Sequence, residues 1–332
     1  MKIAILDDYQ DAVRSLDCFS LLDGHDVKVF TNSTRGLGQL AIRLVPYDAL
    51  VLIRERTAFP AALLAKLPNL KLISQTGKLS GHVDVAAATK YGVAIAEGTG
   101  SPVAPAELTW ALIMAASRKL VPYASNLKEG LWQTASIHHQ FNGLGRVLKG
   151  RTLGIWGYGK IGKLVAGYAE AFGMSVLVWG SEASRAAATA DGREAAASRE
   201  SFFERADVLT LHLRLADGTR GIVTATDLAR MKPDALFVNT SRAELVAEGA
   251  LEDGLKKGHP GTAAVDVFTS EPLPLDCPLL KMPMVLATPH LGYVEKDSYE
   301  LYFEAAFRNV VNFAKGEPSG ILNGEVLVSS AS

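Results

Sequence analysis

Between residues 153 and 179 the chain reads as a strand, a glycine turn, a helix and a second strand, and few folds accommodate that order. Leu153–Trp156 is a short apolar run that ends at Gly157-Tyr158-Gly159-Lys160-Ile161-Gly162. Lys160 to Phe172 then carries apolar side chains at Ile161, Leu164, Val165, Tyr168 and Phe172, the spacing of one helix face, and Gly173 supplies the stop. Ser175–Trp179 is the next strand. A GxGxxG by itself is weak in a chain with 30 glycines, but between a strand and a helix it has the setting a dinucleotide turn requires. There the first glycine permits the tight turn, the second lets backbone approach a pyrophosphate, and the third lets helix pack on strand. The helix start adds N–H groups and a positive dipole end, so Gly157, Gly159, Lys160, Ile161 and Gly162 are the candidate cofactor-binding residues. A glycine-rich turn with no ligand is the competing reading.

The same alternation runs along the rest of the chain. Lys2–Leu6, Asp26–Phe30, Ala49–Ile53 and Lys71–Ser74 read as strands of a first unit, and Val208–Leu211, Leu236–Asn239, Ala263–Val267 and Met284–Ala287 extend the second. Short β-branched runs separated by helical stretches predict an α/β fold with parallel sheets. A length of 332 residues suggests two domains. Ser101-Pro102 predicts an N-cap and first turn for a buried helix through Leu108–Ala116, followed by a polar and aromatic loop over Trp132–Asn142. The alanine-rich stretch Ser184–Ser198 reads as an exposed helix, and Ser298–Ala314 as a helix that packs back on one of the domains.

Composition excludes several classes. Hydrophobic residues at 48% against 21% charged allow a sizeable core. Lysine plus arginine (34) nearly balances aspartate plus glutamate (35) without a like-charge block, which argues against a nucleic-acid binder. No apolar run approaches the ~18 residues of a membrane span. Ile3–Leu6, closed by two aspartates, reads as a strand and not a signal peptide. Cys18 and Cys277 show neither metal spacing nor a disulfide framework, so no metal is expected and a soluble, cytoplasmic protein is.

Three polar residues fall just beyond strands of the second half. Arg242 follows Phe237-Val238-Asn239-Thr240-Ser241, Glu271 follows Ala264-Val265-Asp266-Val267-Phe268 by a short loop, and His290 follows Leu286-Ala287-Thr288-Pro289. The carboxyl ends of strands are where open α/β sheets bind ligands. An arginine fork suits a substrate carboxylate, and a histidine oriented by a carboxylate suits an acid that protonates a carbonyl oxygen. The pattern alone leaves two readings open: a catalytic trio, or a structural Arg242–Glu271 ion pair beside a capping histidine.

The ordered set Val238-Asn239-Thr240-Ser241-Arg242, Asp266-Val267-Phe268-Thr269-Ser270-Glu271-Pro272 and Pro289-His290-Leu291-Gly292, downstream of the glycine turn, resembles the D-isomer-specific 2-hydroxyacid dehydrogenase family. The likeness runs from Met1 to about Asn323. It implies two Rossmann-like doubly wound parallel-sheet domains with the active site in the cleft between them. The substrate-binding domain would comprise residues 1–100 and 293–332, and the dinucleotide-binding domain residues 101–292. The resemblance further implies that Arg242 binds the substrate carboxylate, that His290 is the acid/base and that Glu271 pairs with it. Asp266 would lie near the nicotinamide carboxamide, with Thr240 and Gly292 also on the cofactor. The resemblance also implies a two-fold homodimer formed through the cofactor domain.

Some positions depart from the family pattern. The substrate loop, GxGxDxxD in relatives, is Gly77-Lys78-Leu79-Ser80-Gly81-His82-Val83-Asp84, with Leu79 at the second glycine. The N–H groups of Lys78 and Leu79 are still expected to hold the substrate carboxylate. Ala243 and Ala247 replace a glycine and an acidic residue at the rim. Arg54 matches a substrate-facing position and is a candidate for a polar or anionic tail, the other reading being a solvated loop charge. Gly180 stands at the strand end where NAD enzymes carry an acid for the ribose. Ser181 and Arg185 are candidates for a 2′-phosphate and Glu182 opposes one, so NAD is expected with NADP tolerated. His82, in the substrate loop, is within reach of the cleft, while His138, His139, Trp110 and the cysteines read as bystanders. The expected activity is hydride transfer between a nicotinamide and a small D-2-hydroxy acid or 2-keto acid of the hydroxypyruvate or glyoxylate type. The alternatives are a nucleotide-sensing module of the corepressor type and a formate dehydrogenase.

Overall fold

A computed structural model of the chain describes residues 1–34 and 36–329. Two compact units emerge, one of Met1–Ser101 with Val294–Ser332 and one of Pro102–Tyr293. The final residues of the expected 293–332 segment, 330–332, lie outside the described residues.

The first unit carries five parallel strands, β1 (Lys2–Ile5), β2 (Asp26–Val29), β3 (Ala49–Leu52), β4 (Leu72–Gln75) and β5 (Ala94–Ala96), in the order β2-β1-β3-β4-β5. β3 and β4 are buried from end to end, as parallel strands covered on both faces are. The helix Lys296–Ala314 belongs to this unit. It buries Tyr299, Tyr302, Phe303, Ala306, Phe307 and Val310, a continuous helical stripe, and its Ala306 carbonyl accepts the Ser74 hydroxyl at 2.8 Å. β5 was not legible in the sequence. It is a sheet edge, and the Asn323 side chain covers it by accepting the Ile95 N–H at 2.8 Å and donating to the Val93 carbonyl at 2.9 Å.

The second unit carries seven parallel strands: β6 (Thr152–Trp156), β7 (Ser175–Trp179), β8 (Glu194–Ala195), β9 (Val208–Leu211), β10 (Leu236–Asn239), β11 (Thr262–Val265) and β12 (Val285–Ala287). Their order, β12-β11-β10-β9-β6-β7-β8, reverses between β6 and β9, which makes the end of β6 the switch point of a doubly wound sheet. Strand alternation splits the core by face. Ile155, Val178 and Val238 pack with Val165 and Ile113 on one side, and Trp156, Leu177 and Phe237 pack with Phe202 and Phe203 on the other.

Three local expectations need correction. The helix after Ser101 spans Val103–Ser117 without a side-chain cap, and the Ser101 N–H bonds instead to the Tyr302 hydroxyl at 3.3 Å. The stretch read as one alanine-rich helix is the helix Glu182–Ala190, closed before Gly192 at φ +78°, and then β8. A further helix, Leu120–Lys128, precedes the polar loop, which itself contains the short turn His139–Phe141. Among the described residues no helix is long and apolar enough to cross a membrane, and no group of three or more His, Cys, Asp or Glu is arranged to hold a metal ion.

Candidate active site

The glycine turn leaves β6 at the switch point. Gly157 has φ +104°, and a Cβ there would lie 2.5 Å from the His212 carbonyl oxygen. A Cβ on Gly162 would lie 2.3 Å from the Gly157 carbonyl oxygen, so both positions require glycine to bring helix and strand together. Gly159 differs: a Cβ there would meet nothing within 4 Å, which leaves its backbone facing open space. The turn is tied down by the Gly157 N–H on the Trp179 carbonyl (3.0 Å) and the Tyr158 N–H on Ser184 Oγ (2.8 Å). The helix Lys160–Ala171 starts with no side-chain cap, so the N–H groups of its first turn, Lys160 and Ile161 included, are offered to a ligand. An open cradle above an uncapped helix start fits a pyrophosphate.

At the ribose end, β7 closes on Trp179 and Gly180 follows. Ser181 accepts the Ser184 N–H at 3.3 Å as N-cap of the next helix, and Arg185 stacks on the Trp179 ring. No carboxylate stands at the strand end; Glu182 is the first helical residue.

Arg242, Asp266, Glu271 and His290 come from the ends of three adjacent strands, β10, β11 and β12. Glu271 Oε2 bonds His290 Nδ1 at 2.7 Å, and Glu271 Oε1 accepts the Phe268 N–H at 2.9 Å. Burial alone would push the Glu271 carboxyl up. The His290 bond and charge, the Phe268 N–H and the Arg242 charge outweigh it and hold the group below the usual carboxylate range. Glu271 thus feels both other members of the trio. Asp266 is fully buried, and burial pushes its carboxyl up. Its Oδ1 accepts Thr288 Oγ1 (2.6 Å) and the Leu291 N–H (2.8 Å), its Oδ2 the Gly292 N–H (3.1 Å), and its carbonyl the His290 N–H (2.8 Å). These four bonds hold the turn that carries His290 at φ +54°, a backbone state costing ~1–3 kcal/mol for a non-glycine residue. Asn239 shapes the turn before Arg242 by donating to the Arg242 carbonyl at 2.9 Å, and Thr240 Oγ1 lies 2.7 Å from Thr109 Oγ1.

In the first unit, Arg54 follows β3 and the Lys78-Leu79 turn follows β4, its neighbour in the sheet. Arg54 has φ +50°, its N–H donates to Thr76 Oγ1 at 3.0 Å, and its guanidinium lies where a Cβ on Gly77 would sit. The Leu79 N–H, expected to be open for a substrate, donates to Glu97 Oε1 at 2.7 Å, and Lys78 Nζ to Glu97 Oε2 at 2.9 Å. Sequence reasoning missed Glu97 because it follows the unrecognised β5. It missed Asp7 as well, a buried carboxyl just past β1 that takes the Thr57 hydroxyl at 2.5 Å and is raised by burial. His82 Nε2 lies 3.2 Å from Gln75 Oε1 at the end of β4.

The family model described as D-isomer specific 2-hydroxyacid dehydrogenase, NAD binding domain, matches residues 110–292. The chain belongs to this family. The dehydrogenase is 35% identical over 268 residues to the glyoxylate reductase of Aeropyrum pernix, covering 80% of each chain. It is similar to the crystal structure of a phosphoglycerate oxidoreductase from Vibrio cholerae O395, with 60% identity, TM-score 0.92, and 95% of this chain and 99% of that one covered. A Ralstonia solanacearum oxidoreductase, provisionally named D-3-phosphoglycerate dehydrogenase, matches at 56% identity and TM-score 0.96 over 98% of both chains. As a member, the dehydrogenase is an NAD-dependent oxidoreductase acting on D-2-hydroxy acids, and the open glycine cradle of its second unit accords with that cofactor.

Proposed function

We propose that this dehydrogenase reduces small 2-keto acids of the glyoxylate or hydroxypyruvate type, with Arg242, Glu271 and His290 as its catalytic residues. Bound nicotinamide supplies the hydride that reaches the substrate's C2, and accepts it in the reverse reaction. Arg242 holds the substrate carboxylate and faces the developing alkoxide with positive charge. His290 donates the hydroxyl proton from Nε2, because Nδ1 is bonded to Glu271. Glu271 orients the ring through that bond. The observation that carries this reading is the 2.7 Å Glu271–His290 bond, set beside the charge of Arg242.

Asp266, Thr240 and Gly292 serve the nicotinamide end, the glycine turn with Lys160 and Ile161 the pyrophosphate, and Ser181 and Arg185 the ribose. Residues 1–101 with 294–329 form the substrate unit, to which Arg54, Lys78 and Leu79 contribute. Cationic Arg54 and Lys78 favour polar acids over branched aliphatic ones. The relatives reported above are named as reductases or oxidoreductases, which favours catalysis over nucleotide sensing. The enzyme works as a two-fold homodimer in the cytoplasm. Leu120, Val121, Leu127, Trp132, Ile137 and Leu144 are exposed along one helix and the loop after it, an apolar surface that a second copy would cover. Both cysteines are free, as in a reducing compartment.

A panel of glyoxylate, hydroxypyruvate, pyruvate, 2-ketoisocaproate and formate, followed by nicotinamide absorbance, tests the substrate class. We expect the first two to lead. A preference for the branched acid above about tenfold in kcat/KM refutes the assignment.

A further inference from the structure

Glu97 follows the last residue of the edge strand β5, and its backbone is clamped on both sides. Its N–H donates to the Gly320 carbonyl at 3.2 Å, and its carbonyl accepts Asn309 Nδ2 at 3.0 Å. The next residue, Gly98, donates to the Gly77 carbonyl at 2.9 Å, and a Cβ on Gly98 would lie 2.8 Å from the Gly77 nitrogen. The chain segments leaving β4 and β5 are therefore pressed together, and the Glu97 side chain is directed into the turn after β4.

What the carboxylate does there is bind like a ligand. One oxygen takes the backbone N–H of Leu79 and the other takes the ammonium of Lys78. Lys78 is 67% exposed, so the ion pair itself contributes little, whereas Glu97 is 16% exposed and its bond to the N–H is the sheltered, charge-assisted one. The turn is thus shown to be a carboxylate cradle, and the carboxylate in it belongs to the protein.

We propose that Glu97 sets the enzyme's affinity for its substrates by competing, as an internal carboxylate, with the carboxylate of the 2-keto acid for the Leu79 N–H and Lys78 Nζ. The inference rests on the reading above that this turn receives the substrate. Two carboxylates cannot share one N–H and one ammonium without strong repulsion. Substrate binds only to the fraction of molecules in which Glu97 has swung away, and its apparent affinity falls by that fraction.

The test is steady-state reduction of glyoxylate and hydroxypyruvate with NADH by wild type, Glu97→Gln and Glu97→Ala. Glu97→Ala should lower KM by about tenfold with kcat changed by less than about threefold. Glu97→Gln, whose amide oxygen still accepts from Leu79, should fall between. A merely structural Glu97 predicts the opposite, a higher KM or a lower kcat. An Ala variant with KM equal to or above wild type overturns the proposal. If the Ala variant does not fold, the isosteric Gln variant decides: a lower KM supports, an unchanged or higher one overturns. Should wild type reduce no 2-keto acid, the parent reading fails. Calorimetric binding of oxamate then decides this one: tighter binding to Glu97→Gln supports it, and equal, weaker or no binding overturns it.

Discussion

The guanidinium of Arg185 lies over the indole of Trp179, 4.8 Å from the ring centroid. The contact joins the first turn of the helix Glu182–Ala190 to the last residue of β7, beside the strand end where Gly180 replaces an acid. With no carboxylate there a 2′-phosphate meets less repulsion, while Glu182 opposes it. We expect kcat/KM for NADH and NADPH to differ by less than about tenfold, ~1.4 kcal/mol. A ratio above about a hundredfold contradicts this, and Arg185→Ala and Glu182→Ala would identify the residue responsible.

Glu271→Gln keeps an acceptor for the Phe268 N–H but removes the charge beside His290. We expect kcat for reduction to fall by about 10–100-fold. A Gln variant whose kcat stays within about twofold of wild type would contradict a catalytic part for the Glu271 charge.

Asp227 is nearly buried, receives both Arg199 and the Thr224 hydroxyl, and completes a capping box for the helix Ala225–Ala229. Burial works to raise its carboxyl, but the Arg199 and Thr224 bonds prevail and hold it below the usual range. A depressed carboxylate stabilises the fold above its unfolded pKa, ~3.9, and that contribution is lost as pH falls through the folded value. Asp227→Ala should therefore destabilise the protein by about 2–3 kcal/mol at neutral pH, with the gap narrowing below about pH 4. Urea unfolding midpoints across that range are the check, and a gap independent of pH contradicts the linkage.

Light scattering at micromolar concentration should give twice the chain mass. Leu127→Glu and Trp132→Glu, which put charge on the exposed apolar surface, should shift it to the monomer mass. A monomeric wild type rejects the dimer.

Much of this architecture can be read from the chain because the signals are local. Ile155, Val178 and Val238 lie in strands whose apolar, β-branched runs are visible in the sequence, and the glycine turn sits between two of them. Arg242, Asp266 and His290 each fall within three residues of a strand end, so strand order alone brings them to adjacent positions on the sheet edge. What stayed hidden depends on partners distant in sequence. Ala94–Ala96 and Glu194–Ala195 have little strand preference and are strands because Ile73 pairs with Ile95 and Val178 with Ala195. Glu97 could not be connected to Leu79 without β5, and the Ser101 cap gave way because Tyr302, in a helix near the C-terminus, takes its backbone groups.

The most direct test of the catalytic assignment is reduction of glyoxylate and hydroxypyruvate by Arg242→Ala and His290→Ala, alongside wild type and with NADH binding measured for each protein. Each substitution should lower turnover by at least ~2 decades, the scale of losing one oxyanion donor or one acid/base, while NADH still binds. Near wild-type reduction of both acids by both variants would contradict the account.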